Sequence, residues 1–176
     1  MPDGAPNCKL VDDAGRERQL SELWGEKPLL LFFVRHLGCP LCRSQAAEIR
    51  KNVGRFTEAG AEIAMVTMGT ADDAAEFRKY LELPFTVLAD ADQECYRAFS
   101  VPRGGVLSVM GPHMWPVGLK SILKHGAGKP VGDPWQLPGS FVIDTKGAIR
   151  FEHRAKHSAD WPKNDDLVAA IRAARG

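Results

Sequence analysis

Leu29-Leu30-Leu31-Phe32-Phe33-Val34-Arg35-His36-Leu37-Gly38-Cys39-Pro40-Leu41-Cys42 is the stretch on which the fold turns. Its first six residues are uniformly apolar, as suits a short central strand covered on both faces. Pro40 then fits the first position of a helix, where its missing N–H costs nothing. Cys42, Ala46, Ile49, Val53 and Phe56 recur at spacings of four and three, which places them on one helical stripe. Gly60 supplies the expected stop. The stretch therefore reads as strand, turn and helix, with two cysteines at the junction.

Upstream, residues 8–11 and 18–20 flank Asp12-Asp13-Ala14-Gly15, a hairpin pattern. Downstream, residues 61–67 read as a second buried strand. Thr70 with Asp73 three residues on reads as a helix N-cap, and Ala74, Phe77 and Leu81 stripe the helix that follows. Residues 85–89 are a third strand, and Asp90 or Asp92 can cap a helix running to Phe99. Three strand–helix alternations argue for an α/β sheet with parallel neighbours. The pattern breaks at residues 102–138, which are dense in Gly and Pro. An interruption of that length inside a domain is an insertion or functional loop. One helix, at 113–124, is expected inside it. Residues 140–144 and 148–151 flank Thr145-Lys146-Gly147 as a second hairpin. Asn164 is placed to cap a last helix carrying Leu167, Ala170, Ile171 and Ala174.

Composition bounds the function. The chain has 176 residues, 44% apolar and 26% charged, which suits one domain over 1–176. Lys plus Arg is 23 against 22 for Asp plus Glu, so the average charge leaves no footprint for nucleic acid or for a membrane surface. The first residues lack a basic start and an apolar run, which points to the cytoplasm. Four cysteines are too few for a disulfide scaffold, and two of them closely spaced suggest metal or redox chemistry.

Cys39-Pro40-Leu41-Cys42 carries that chemistry. Cys39 falls near the N-cap, facing unpaired backbone N–H groups and the positive end of the helix dipole, which favours the thiolate. Arg35, His36 and Arg43 are placed to add positive potential. Cys42 lies one turn on, on the same face, so the sulfurs can meet with little backbone movement. The nucleophile is then Cys39, at an exposed helix start, and the resolving thiol is Cys42, on the buried stripe. Half a zinc site completed by His36 or a distant Cys is the metal alternative, but no second ligand pair of suitable spacing exists. Inert core thiols are the other.

The element order and the motif Phe33-Val34-Arg35-His36-Leu37-Gly38-Cys39-Pro40-Leu41-Cys42-Arg43 resemble the peroxiredoxin-like branch of the alkyl hydroperoxide reductase/thiol-specific antioxidant (AhpC/TSA) family. Residues 132–139, running into Phe141-Val142-Ile143-Asp144, and Glu152-His153-Arg154 resemble it as well. The resemblance implies a thioredoxin-like, peroxiredoxin-type mixed sheet flanked by helices, with the 102–138 insertion before the final hairpin and helix. It implies a thiol-dependent enzyme that reduces hydroperoxides, lipid peroxides included, through a Cys39 sulfenic acid resolved by Cys42 as a disulfide. An external thiol donor such as thioredoxin or glutathione would complete the cycle, with no cofactor. A homodimer is compatible with the family. The alternatives are a protein disulfide oxidoreductase and a non-enzymatic redox-sensing module.

By the same resemblance Pro138 occupies the position of the cis-proline that faces the sulfurs in thioredoxin folds. The chain has Phe32, His36 and Pro138 where ordinary peroxiredoxins have Pro, Thr or Ser, and Arg. Arg35 and Arg154 are the candidate replacements for that Arg. Cys95 reads as a core residue and Cys8 as a free thiol in the hairpin. His113, His125, His153 and His157 read as loop or surface residues. Met110, Met114 and Trp115 read as a cover for the sheet in preference to the wall of a pocket.

Overall fold

Residues 4–112, 115–128 and 131–175 are described by a computed structural model. The apolar run forms strand β3 (Leu29–Phe33), buried throughout. It is joined by β1 (Lys9–Asp12), β2 (Glu17–Gln19), β4 (Glu62–Thr67), β5 (Thr86–Ala89), β6 (Gly139–Ile143) and β7 (Ile149–Arg154). The seven strands form one sheet in the order β2-β1-β5-β4-β3-β6-β7. The alternating strand–helix pattern yields the parallel pairs β3–β4 and β4–β5, with Leu30 opposite Ile63 and Met65 opposite Val87. Both hairpins add antiparallel strands at the flanks. The mixed α/β architecture is that of the thioredoxin-like, peroxiredoxin-type class.

Six α-helices among the described residues accompany the sheet: α1 (Pro40–Ala59), α2 (Ala71–Tyr80), α3 (Glu94–Ala98), α4 (Val106–Met110), α5 (Trp115–His125) and α6 (Asn164–Ala174). Because strand side chains alternate between faces, β3 feeds two cores at once. Leu30, Phe32 and Val34 pack with Cys42, Ala46, Ile49 and Phe56 of α1, Phe77 of α2 and Ile171 of α6. Leu29, Leu31 and Phe33 pack on the other face with Leu10, Tyr96, Phe99 and Phe141. The rings of Phe33, Phe99 and Phe141 lie 5.0 to 5.7 Å apart, and Phe33 meets Tyr96 edge-on at 5.0 Å.

The local signals at helix ends act largely as expected. Thr70 and Asp73 form a reciprocal capping box at α2. The Asp90 carboxylate accepts from the N–H groups of Glu94, Cys95 and Tyr96 at the start of α3, at 3.0, 2.9 and 3.1 Å. Gly60 ends α1 at φ +104°, a conformation open to glycine. At α6 the cap is Lys163, and Asn164 is the first helical residue with no side-chain capping bond, one position off the expectation.

Among the described residues the 102–138 segment holds two α-helices, not one. α4 is only five residues between Gly105 and Gly111, too short for a periodic signal. α5 begins at Trp115; the expected start at His113, together with Met114, lies outside the described residues, as do the side chains of Met110 and His125. The two ends of the segment are tied together. Gly104 N–H donates to Trp135 O at 2.7 Å and Leu137 N–H to Pro102 O at 2.9 Å. The Gln136 amide adds a bond to Pro102 O at 2.9 Å.

One expectation is overturned outright. Cys8 is not a free thiol: it is disulfide-bonded to Cys95 across 87 residues, with the Cα atoms 5.4 Å apart. Cys95 is core, as expected, and the bond ties the segment before β1 to α3 within the second core.

Candidate functional site

The chain leaves β3 at Val34, and the Tyr96 hydroxyl holds that exit. It donates to Val34 O at 2.6 Å, with Val66 O 3.0 Å away, so the parallel strands β3 and β4 end in register beneath the turn. Burial keeps the Tyr96 phenol protonated far above its ordinary range. Past this point Arg35 is 4% exposed, though a guanidinium ordinarily seeks water. Its Nε donates to Gln136 O at 2.9 Å and its Nη2 to Pro134 O at 2.6 Å. The third arm, Nη1, donates to Cys39 Sγ at 3.2 Å. Two carbonyls from the far end of the insertion thus aim one guanidinium N–H at one sulfur.

Cys39 is the N-cap of α1, with Pro40 in the first turn as the spacing requires. Its backbone N–H donates to His36 O at 3.0 Å, which closes the turn. The Cys42 thiol donates to the Cys39 sulfur and draws its pKa well below the ordinary thiol value, against burial, which opposes. Arg35 and the N–H groups of Cys42 and Leu41 act in the same direction. Burial holds Cys42 protonated, and the proton it lends to Cys39 strengthens the effect. The pair therefore shares one proton: a thiolate at 39 and a thiol at 42, both free of disulfide.

Two expectations need correction here. Cys39 does not sit at an exposed helix start, since only 2% of its surface meets solvent. The insertion covers it, and the sulfur is reached through a cavity. His36 does not add positive potential: burial, then Arg35, lowers its pKa to about 4, so it is neutral near pH 7.

That cavity has a volume of about 790 Å³. Arg35, His36, Cys39, Pro40 and Leu41 line it from the strand–helix turn. Val109 of α4, Trp115, Gly118, Leu119 and Ile122 of α5, and Pro134 and Trp135 complete it. Trp115 is therefore a pocket wall and not a cover for the sheet, contrary to the sequence reading. The lining is apolar apart from the guanidinium, the imidazole and the sulfur.

The other candidates lie elsewhere. Pro138 is buried at the start of β6, its carbonyl accepting from Ala155 N–H at 3.1 Å, and it does not line the cavity. No cis peptide bond occurs among the described residues, so the cis-proline expectation is overturned. Arg154 donates to Phe99 O at 3.1 Å, pairs with Glu152 at 2.8 Å and lies over the Phe141 ring, outside the cavity lining. His153 pairs with Asp160 at 3.2 Å. Sequence reasoning missed the role of Trp135, Pro134 and Gln136, whose only signal was their place in a stretch resembling the family.

Comparison with known proteins bears on this arrangement. The AhpC/TSA family model matches residues 1–152. The prostamide/prostaglandin F synthase of Salmo salar is 29% identical over 168 residues, covering 92% of this chain and 83% of that protein. The chloroplastic thioredoxin-like protein AAED1 of Arabidopsis thaliana is 24% identical over 187 residues, covering 97% and 73%. A chloroplastic protein of Oryza sativa subsp. indica described as putative peroxiredoxin Q is 35% identical over 98 residues, covering 56% and 45%. Among solved structures, the peroxidoxin BcpB of Mycobacterium tuberculosis superposes with a TM-score of 0.70 at 24% identity, covering 99% and 97%, which is a likeness of fold.

Proposed function

The chain belongs to the AhpC/TSA family, and on that premise we propose that Cys39 and Cys42 are the reacting sulfurs of a peroxiredoxin-like thiol peroxidase. The observation that carries the reading is the 3.2 Å bond from a buried guanidinium to the Cys39 sulfur at a helix N-terminus. A thiolate there is held ionised, desolvated and adjacent to a donor able to polarise a peroxide oxygen. The sulfur attacks the terminal oxygen of the hydroperoxide, forming an S–O bond as the O–O bond breaks. Sulfur is oxidised to the sulfenic acid, and the leaving alkoxide takes up a proton and departs as alcohol. The Cys42 sulfur then displaces water from Cys39, forming the disulfide. Two thiol equivalents from an external donor reduce that disulfide and restore the dithiol.

The cavity supports a bulky substrate. Its volume and apolar walls suit an alkyl or acyl-chain hydroperoxide better than hydrogen peroxide, which would leave most of the apolar surface unfilled. Steady-state consumption of linoleic acid hydroperoxide, cumene hydroperoxide and hydrogen peroxide with a thiol donor tests both points. The organic peroxides are expected to give the higher kcat/KM, and Cys39→Ser to abolish turnover of all three. Turnover surviving in Cys39→Ser would overturn the assignment.

A second reading places the redox pair at Cys8 and Cys95, and their bond favours it. They lie in the aromatic core, and neither lines the cavity beside Arg35. Peptide mapping after one equivalent of hydroperoxide separates the two: a new 39–42 bridge supports the first reading, and turnover lost in Cys8→Ser but kept in Cys42→Ser supports the second.

A further inference from the structure

The insertion wears its apolar residues on the outside. Ser121 is the face of α5 turned onto α1, its hydroxyl 3.1 Å from that of Ser44. Trp115, Leu119, Ile122 and Leu123 follow one another at helical spacing on the opposite side, and all are exposed, Leu123 by 80%. Val106 and Leu107 of α4 are exposed as well. Seven of the eight large apolar side chains exposed among the described residues fall between 106 and 123. Scattered exposed leucines need no explanation, but this concentration does.

The charge of the same segment is as uneven. Residues 104–132 contain Lys120, Lys124 and Lys129 and none of the chain's 22 acidic residues. An acid-free run with an exposed tryptophan, exposed leucines and lysines between them has the chemistry of a surface that rests among lipid headgroups. No helix among the described residues is long and apolar enough to cross a membrane, so the contact is peripheral. A symmetric dimer through this face would set Lys120 and Lys124 of one copy against the same lysines of the other, because an isologous interface pairs a patch with itself.

We propose that α4 and α5 dock the protein on an anionic phospholipid bilayer, with Trp115, Leu119 and Leu123 in the interfacial layer and Lys120 and Lys124 on the headgroups. Trp115 and Leu119 also line the cavity, so its wall is continuous with the docking face. The average charge of the chain, which indicated no membrane surface, hides this local asymmetry. The docking stands independently of the peroxidase reading, since no sulfur takes part in it.

The test is co-sedimentation of the full chain with vesicles of phosphatidylcholine alone and of phosphatidylcholine with about 30% phosphatidylserine, at low and physiological salt. Binding is expected to the anionic vesicles and to weaken with salt. The Lys120→Glu/Lys124→Glu double variant should bind about twenty-fivefold more weakly or worse, at roughly fivefold per lysine lost. Leu107→Glu/Leu123→Glu should not bind, with an unchanged circular dichroism spectrum. Cys39→Ser should bind as the parent does, even if it fails every peroxidase assay. Absence of binding to anionic vesicles overturns the proposal. So does equal binding by the parent and both double variants, or a dimer that Leu123→Glu breaks while no vesicle is bound.

Discussion

Two pairs of cysteines lie on opposite faces of one sheet and differ in everything but the element. Cys39 and Cys42 are free thiols three residues apart, at a helix start, under a guanidinium and beside a cavity. Cys8 and Cys95 are joined across 87 residues, among packed apolar and aromatic side chains. The difference teaches that spacing alone does not make a reactive thiol. What separates the pairs is a guanidinium that, among the described residues, is held by carbonyls and not by a carboxylate, and an approach for substrate. In the aromatic core the same atoms hold the chain together, because a cross-link that closes a long loop restricts the unfolded state.

The comparison can be broken most forcefully by exchanging roles. Cys39→Ser should lower peroxide turnover by at least about a thousandfold, since no other thiol is placed to replace it. Cys8→Ser should leave kcat/KM within about twofold, because it lies on the far face of the sheet. The reverse outcome in a thiol-coupled peroxidase assay would dissolve the distinction. Stability should invert the ranking. Cys8→Ser is expected to cost about 2–4 kcal/mol in denaturant unfolding under oxidising conditions, and an equal loss from Cys39→Ser would contradict the division.

How the first pair came to be legible, and the second did not, is a matter of range. The strand–turn–helix at 29–42 announces itself within a few residues, because an apolar run, a Pro at the helix start and a helical stripe are local signals. A bond between residues 8 and 95 leaves no local trace. The covering of Cys39 was equally invisible, since it depends on helices of the insertion, one of them only five residues long. Arg35 and Arg154 looked alike in sequence. The carbonyls of Pro134 and Gln136, about a hundred residues away, decide which guanidinium meets the sulfur. The backbone at Pro138 was misjudged for the same reason: tertiary context selects the isomer, and here it is trans.

Smaller effects sharpen the contrast. Arg35→Met should slow iodoacetamide alkylation of Cys39 about tenfold at pH 5, below both inflections, corresponding to loss of one unit of thiolate stabilisation, and only about twofold at pH 7. In the parent, the alkylation rate against pH should have its inflection well below the free-thiol value of about 8.5, because the thiolate persists until pH falls through the lowered pKa. The variant's inflection should move upward, and an unmoved profile would show that Arg35 acts only on packing. His36 gives the smallest signal. Its folded pKa is about 4 against 6.5 for a free imidazole, so the unfolded chain takes up the proton first as pH falls. Stability carried by the neutral ring is present above pH 6.5 and lost on acidification toward 4. Unfolding midpoints of His36→Gln across that window should decline less steeply than those of the parent.

The neck of the insertion has a consequence for how such a protein can change. The chain departs and returns at one clasp, where Gly104 meets Trp135 and Pro102 meets Leu137 and Gln136, and the guanidinium is gripped by the carbonyls on either side of Trp135. Whatever is strung between 105 and 133 is an exchangeable cartridge. New helices there can redraw the range of molecules admitted while the sulfur beneath keeps its reactivity, so selectivity and chemistry are free to diverge along separate lines of descent.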